Sequence, residues 1–74
     1  MRDYRARYHY VGRNIFNNHE LYPGLTDWWK FRAKDDNHAI TLAEEHKPDI
    51  PEHIKNPAIK LESLYEHRKV SLKR

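Results

Sequence analysis

The chain of 74 residues contains no cysteine. That one absence excludes disulfide staples, thiolate zinc sites, iron–sulfur clusters and cysteine nucleophiles. Glycine is scarce as well: Gly12 and Gly24 are the only two, so no phosphate-cradling glycine loop can be drawn. No apolar run approaches the roughly 18 residues of a membrane-crossing helix. No apolar stretch near the N-terminus reads as a secretory signal. Leu, Ile, Val and Phe together number fifteen, about a fifth of the chain, which lies at the usual border with disorder.

Catalytic patterns are missing too. Ser63 and Ser71 are the only serines, and neither sits in a nucleophile elbow. The acids pair as neighbours, Asp35-Asp36 and Glu44-Glu45, which suits caps and surface more than shared proton chemistry. The six histidines include no two at the spacing of three or four that places both imidazoles on one helix face. The expectation is a chain that is not an enzyme and holds no metal or cofactor.

What the chain has is charge and aromatic rings. Asp, Glu, Lys and Arg make up 34% of it, the net charge is +3, and mean hydropathy is −1.11. Five tyrosines and two tryptophans supply large rings, and each carries a polar tip that needs a partner. A mild positive excess is compatible with RNA, anionic lipid or an acidic protein surface.

The periodicity predicts an all-α chain forming a single unit over 1–74. Its helices fall at about 3–17, 27–46 and 57–72. Tyr4, Tyr8, Val11 and Ile15 recur at helical spacing, with Arg2, Arg5, His9 and Arg13 on the opposite face. Asp3 and Arg7 stand four apart in the favourable order. Pro23-Gly24 marks a turn, and Thr26-Asp27 a helix start. The Asp35-Asp36-Asn37 cluster breaks the second helix or caps a new one. Pro48, Pro51 and Pro57 bound an extended connector over 47–56. Asn56 and Pro57 suit the N-cap and first turn of the last helix. The core is sparse, and independent stability is not expected.

Several surfaces present themselves for contact. The Arg2, Arg5, His9, Arg13 stripe faces an anion, or is an ordinary solvated face. Trp28 and Trp29 are adjacent and diverge, so one indole meets a partner or stays half exposed. With Lys30, Arg32 and Lys34 they also suit anionic lipid headgroups. Arg68 falls within an apolar stripe and must snorkel or pair. Lys69, Lys73 and Arg74 add a basic C-terminus.

The composition resembles that of small accessory subunits of mitochondrial respiratory complexes, ATP synthases or mitoribosomes, a likeness of profile rather than of residues. It implies a non-catalytic structural subunit docked to other protein subunits of a membrane-protein complex. The implied place is the soluble side of the mitochondrial inner membrane, with the cytoplasm as alternative. A second expectation is an RNA-associated peripheral ribosomal subunit, and a third is a free-standing helical regulatory module.

Overall fold

A computed structural model describes residues 1–72, and the basic pair Lys73 and Arg74 lies outside the described residues. The chain is not all-α: its described residues form an antiparallel sheet and one helix. The elements in chain order are β1 (Arg2–Asn14), β2 (Glu20–Leu25), β3 (Trp29–Ala33), α1 (Asp36–Glu45) and β4 (Ile54–Tyr65).

The physical reason lies in the first segment. Tyr4, Ala6, Tyr8, Tyr10 and Gly12 alternate with Asp3, Arg5, Arg7, His9 and Arg13. This is a period of two, with the even-numbered residues buried and the odd-numbered ones exposed or half-buried. Strand geometry sends successive side chains to opposite faces. A helix would have placed Arg7 and Tyr8 about 100° apart and left neither face clean. Three tyrosines within seven residues also favour a pleated strand. The expected helix over 3–17 is therefore β1 and the start of the turn that follows it.

That turn spans residues 15–19, with Asn18 and His19 in the left-handed region at φ 54° and 60°. Asn and His adopt this conformation more readily than most residues. The Asn14 side chain accepts from the Phe16 amide at 3.0 Å.

β1 is the central strand. Its residues Arg2–Ala6 pair with β3, and His9–Asn14 pair with β2. β4 pairs along the stretch from Arg5 to Asn14. So β2 and β3 lie end to end along one edge of β1, and β4 lies along the other. Between β2 and β3, Arg7 and Tyr8 face three residues, Thr26, Asp27 and Trp28. This extra residue is a bulge, and it is fastened. The Thr26 amide donates to the Tyr8 carbonyl at 2.9 Å, and the Tyr8 amide donates to Thr26 Oγ1 at 3.0 Å. The Thr26-Asp27 pair thus sets a bulge, not a helix start.

Within the expected 27–46 helix, only the second part is helical. Asp35 caps α1 and accepts from the His38 amide at 2.8 Å. The extended connector closes at residue 53 because Ile54 already belongs to β4. The expected helix over 57–72 is strand as far as Tyr65. Asn56, at φ 51°, and Pro57 form a second bulge opposite Gly12. A bulge on an edge strand is where proline is tolerated in a sheet. Beyond Tyr65 the chain turns back, and the Val70 amide donates to the Leu64 carbonyl at 2.8 Å.

α1 covers one face of the sheet only. The core there is built from four fully buried alanines, Ala6, Ala33, Ala39 and Ala43, with Tyr4, Tyr8, Ile40, Leu64 and Val70. Small side chains let the helix approach the sheet closely, and the tyrosine tips fasten it. Tyr4 donates its hydroxyl to Asp36 at the first residue of α1, at 2.8 Å. Tyr8 donates to the Ala43 carbonyl at 2.5 Å, one of the last carbonyls that a helix leaves without an internal partner. Tyr10 is buried on the same face as Tyr4 and Tyr8 and packs over Gly24.

Candidate nucleic-acid interface

The opposite face of the sheet is covered by no element among the described residues. The register places on it Asp3, Arg5, Arg7, His9, Val11 and Arg13 from β1. It adds Leu21, Pro23 and Leu25 from β2, Lys30 and Arg32 from β3, and Lys55, Ala58, Lys60, Ser63 and Tyr65 from β4. Directly opposite residues share a face in an antiparallel pair. Three such pairs are basic on both sides: Arg5 with Lys30, His9 with Lys60, and Arg13 with Lys55. Asp3 offsets one cation, Arg32, at 3.3 Å, and both of these side chains are well exposed. Among the described residues no carboxylate pairs with Arg5, Arg7, Arg13 or Lys30. Arg13 donates instead to the His19 carbonyl at 3.0 Å.

Like charges set directly across a strand pair are destabilising. Two of these pairs, Arg5 with Lys30 and Arg13 with Lys55, are like-charged at neutral pH, and a sheet that aligns them on one face carries a cost. An external polyanion would remove it.

Trp28 lies on this face through the bulge at residues 26–28. The guanidinium carbons of Arg7 and Arg5 stand 4.3 and 5.0 Å from its ring centroid. The Tyr65 ring meets it edge-on at 5.6 Å, with 77° between the planes. Arg5 also lies 5.3 Å from the Tyr65 ring. The Arg7 Nε is buried and makes no hydrogen bond. Its guanidinium is held against the indole by dispersion and cation–π attraction rather than by a carboxylate.

Of the residues marked out from sequence, Arg5, His9, Arg13, Trp28, Lys30 and Arg32 come together here. A spacing of four is in phase with both a helix and a strand, so Arg5, His9 and Arg13 share a face in either. Arg2, Trp29 and Arg68 do not join them. Trp29 stacks on His46 at 3.6 Å and on Phe31 at 4.3 Å, on the helix-covered face. Arg2 donates to Glu66 at 2.6 Å through both Nε and Nη2, and Arg68 donates to Asp36 at 2.8 Å. These two arginines close the end of the molecule where α1 begins. Sequence reasoning missed Arg7, Lys55, Lys60 and Tyr65. Alternation in β1 would have found Arg7, which joins Trp28 in place of the helical pair with Asp3. The β4 residues carried no such signal, because two register shifts break their alternation.

The ionisation of the far end follows from its contacts. Hydrogen bonds from Arg68 and then Tyr4 hold the Asp36 carboxyl below the usual carboxylate range. The hydrogen bond from Arg2 does the same for Glu66. Burial, more than the hydrogen bond to Asp36, pushes the Tyr4 hydroxyl up to about 12, and burial pushes Tyr8 to about 12.

Among the described residues no helix is long and apolar enough to cross a membrane. No group of three metal-ligating side chains comes together among them either. A concavity of about 530 Å³ lies on the helix-covered side, lined by Tyr8, Ile40, Glu44, His46 and Leu61 among others. It is bordered by Lys47 and gathers no nucleophile with a base. No protein-family model, no curated protein and no solved structure matches the chain.

Proposed function

We propose that the protein is a non-catalytic binding module that docks the open face of its sheet onto nucleic acid. The observation that carries this reading is the alignment of like-charged residues across strands, Arg5 with Lys30 and Arg13 with Lys55, on a face that no element covers among the described residues. Charge complementarity to a phosphate backbone supplies affinity without sequence reading, and it makes binding steeply salt-dependent. The test is binding to RNA and DNA oligonucleotides across a salt series. Log affinity is expected to fall linearly with log salt. Removing one phosphate-contacting cation, Lys30→Ala or Lys55→Ala, is expected to reduce that slope by roughly one. Absent binding at low salt, or a slope unchanged in both variants, overturns the proposal.

A second reading keeps the protein as a subunit held in a larger assembly by protein contacts. It rests on the hairpin end, where Phe16 is 80% exposed and Leu21 64% exposed. Large apolar side chains clustered beyond the core mark contact surfaces more often than solvent. Under this reading Phe16→Asp would abolish assembly with the partner while Lys30→Glu would leave it intact. The reverse result belongs to the first reading.

A further inference from the structure

We infer that the open face takes its nucleic acid as a single strand, with a base laid against the Trp28–Tyr65 aromatic pair and the neighbouring phosphates held by Arg5 and Arg7. The inference rests on the nucleic-acid reading above and narrows it from polyanion docking to a stacking platform. Cations alone would serve any polyanion, and a duplex would meet such a sheet with its phosphate ridges. Its bases are stacked inside and cannot reach rings that lie on a sheet surface. A single strand offers its base faces, and aromatic side chains take them regardless of sequence.

Trp28 is positioned for this by a dedicated irregularity. The bulge at residues 26–28 sends Trp28 to the open face while Trp29 turns into the stack with Phe31 and His46. Bulges re-aim side chains in this way. The two hydrogen bonds between Thr26 and Tyr8, one backbone to backbone and one to the Thr26 hydroxyl, hold the bulge shut, so the indole is placed before any ligand arrives. Tyr65 then borders it at 5.6 Å, and Arg5 lies 5.0 and 5.3 Å from the two rings. Neither Arg5 nor Arg7 has a carboxylate partner among the described residues; the buried Arg7 Nε is out of reach, so the exposed Arg5 guanidinium and the terminal nitrogens of Arg7 are the donors left for phosphate oxygens. From this cluster the cations continue along β1 to Arg13. That strip is roughly 27 Å long at about 3.4 Å per residue. It suits a site near the short end of the roughly 4–16 nucleotides that single-strand platforms occupy.

The test uses Trp29→Phe, which keeps a ring in the buried stack and leaves Trp28 as the only indole. Its fluorescence is titrated with oligouridylate and oligothymidylate of about 12 nucleotides, and with a duplex of the same length, at one salt concentration. Quenching by the single strands is expected, with the duplex binding more weakly. In the wild-type background Trp28→Leu is expected to lower single-strand affinity by about tenfold, and Trp28→Phe to restore most of it. Tyr65→Leu reports on the same platform from β4, should Trp28→Leu fold poorly by circular dichroism. Salt-dependent binding without quenching, with duplex preferred and both leucine variants neutral, overturns this inference and leaves the polyanion reading standing. No binding to either form overturns both.

Discussion

Three side chains converge on Asp36. It accepts from Tyr4 at 2.8 Å and from Arg68 at 2.8 Å, and Arg2 lies 4.0 Å away. Arg2 in turn holds Glu66. Both carboxyls titrate below their ordinary values of 3.8 and 4.5. A carboxyl depressed in the folded state contributes stability that is fully present above its unfolded value. That contribution is lost as pH falls through the folded value. The melting temperature is therefore expected to drop as pH falls below about 4.5, and the drop should flatten in an Asp36→Asn, Glu66→Gln double variant. The tyrosines set the opposite limit. Their hydroxyls are raised from 10.0 to about 12, so the folded state keeps its protons longer than the unfolded chain. Stability is full below pH 10.0 and is lost as pH rises towards about 12. Tyr8→Phe should remove part of that alkaline loss and cost about 1 kcal/mol at neutral pH, because the Ala43 carbonyl loses its donor. Gly12 is a steric requirement rather than a conformational one. A Cβ there would collide with the Ile54 side chain and stand 3.2 Å from the Pro57 Cα. Gly12→Ala is expected to destabilise by about 1–3 kcal/mol in a denaturant melt, since the bulged β4 backbone would have to move.

At the scale of elements, α1 was the most legible. Asp35, Asp36 and Asn37 signalled its start, and the Asp35 cap is present. Asp35→Ala should cost about 1 kcal/mol, read by urea denaturation. The strands were hidden for two distinct reasons. In β1, Tyr4 and Tyr8, like Arg5, His9 and Arg13, stand four apart, and that spacing fits both periods. The discriminating residues are Ala6, Arg7 and Tyr10, which fit only alternation. In β4, register shifts opposite Arg7/Tyr8 and Val11/Arg13 move the side chains out of phase. Ala58, Leu61 and Leu64 then fall three apart and imitate a helix. Asn56-Pro57, an ordinary helix-start pair, serves as the bulge. The thin aliphatic content misled in the same way. This core uses alanine and tyrosine, which a count of Leu, Ile, Val and Phe does not register. The cationic site was legible by residue type and partly by phase. What could not be read was that β4 would bring Lys55, Lys60 and Tyr65 beside it, because pairing between segments some fifty residues apart leaves no local mark.

At the scale of the whole molecule, the two faces of the sheet make opposite demands. The covered face holds the core, while the open face gathers cations along a body whose principal extents are 44 × 20 × 18 Å. If those cations were only a solvated surface, relieving their repulsion would improve stability and change nothing else. If they hold a polyanion, the same change must damage binding. Lys30→Glu separates the two cases. It sets an acid directly opposite Arg5 in place of a base. Converting a like-charge cross-strand pair to an opposite-charge pair should stabilise the fold by about 0.2–1 kcal/mol. The gain should shrink as salt is added, because the pair is exposed. The variant is expected to melt higher than the wild type at low ionic strength and to bind oligonucleotide more weakly. Its salt slope should be shallower, because a phosphate contact has become a repulsion. Arg68→Glu is the control at the end of α1. It breaks the pair with Asp36, so it should lower the melting temperature while leaving the salt slope of binding near its wild-type value. A Lys30→Glu variant that melts higher and binds equally well would return the open face to the status of an ordinary solvated surface. Higher stability with weaker binding is the outcome that a face shaped for a ligand requires.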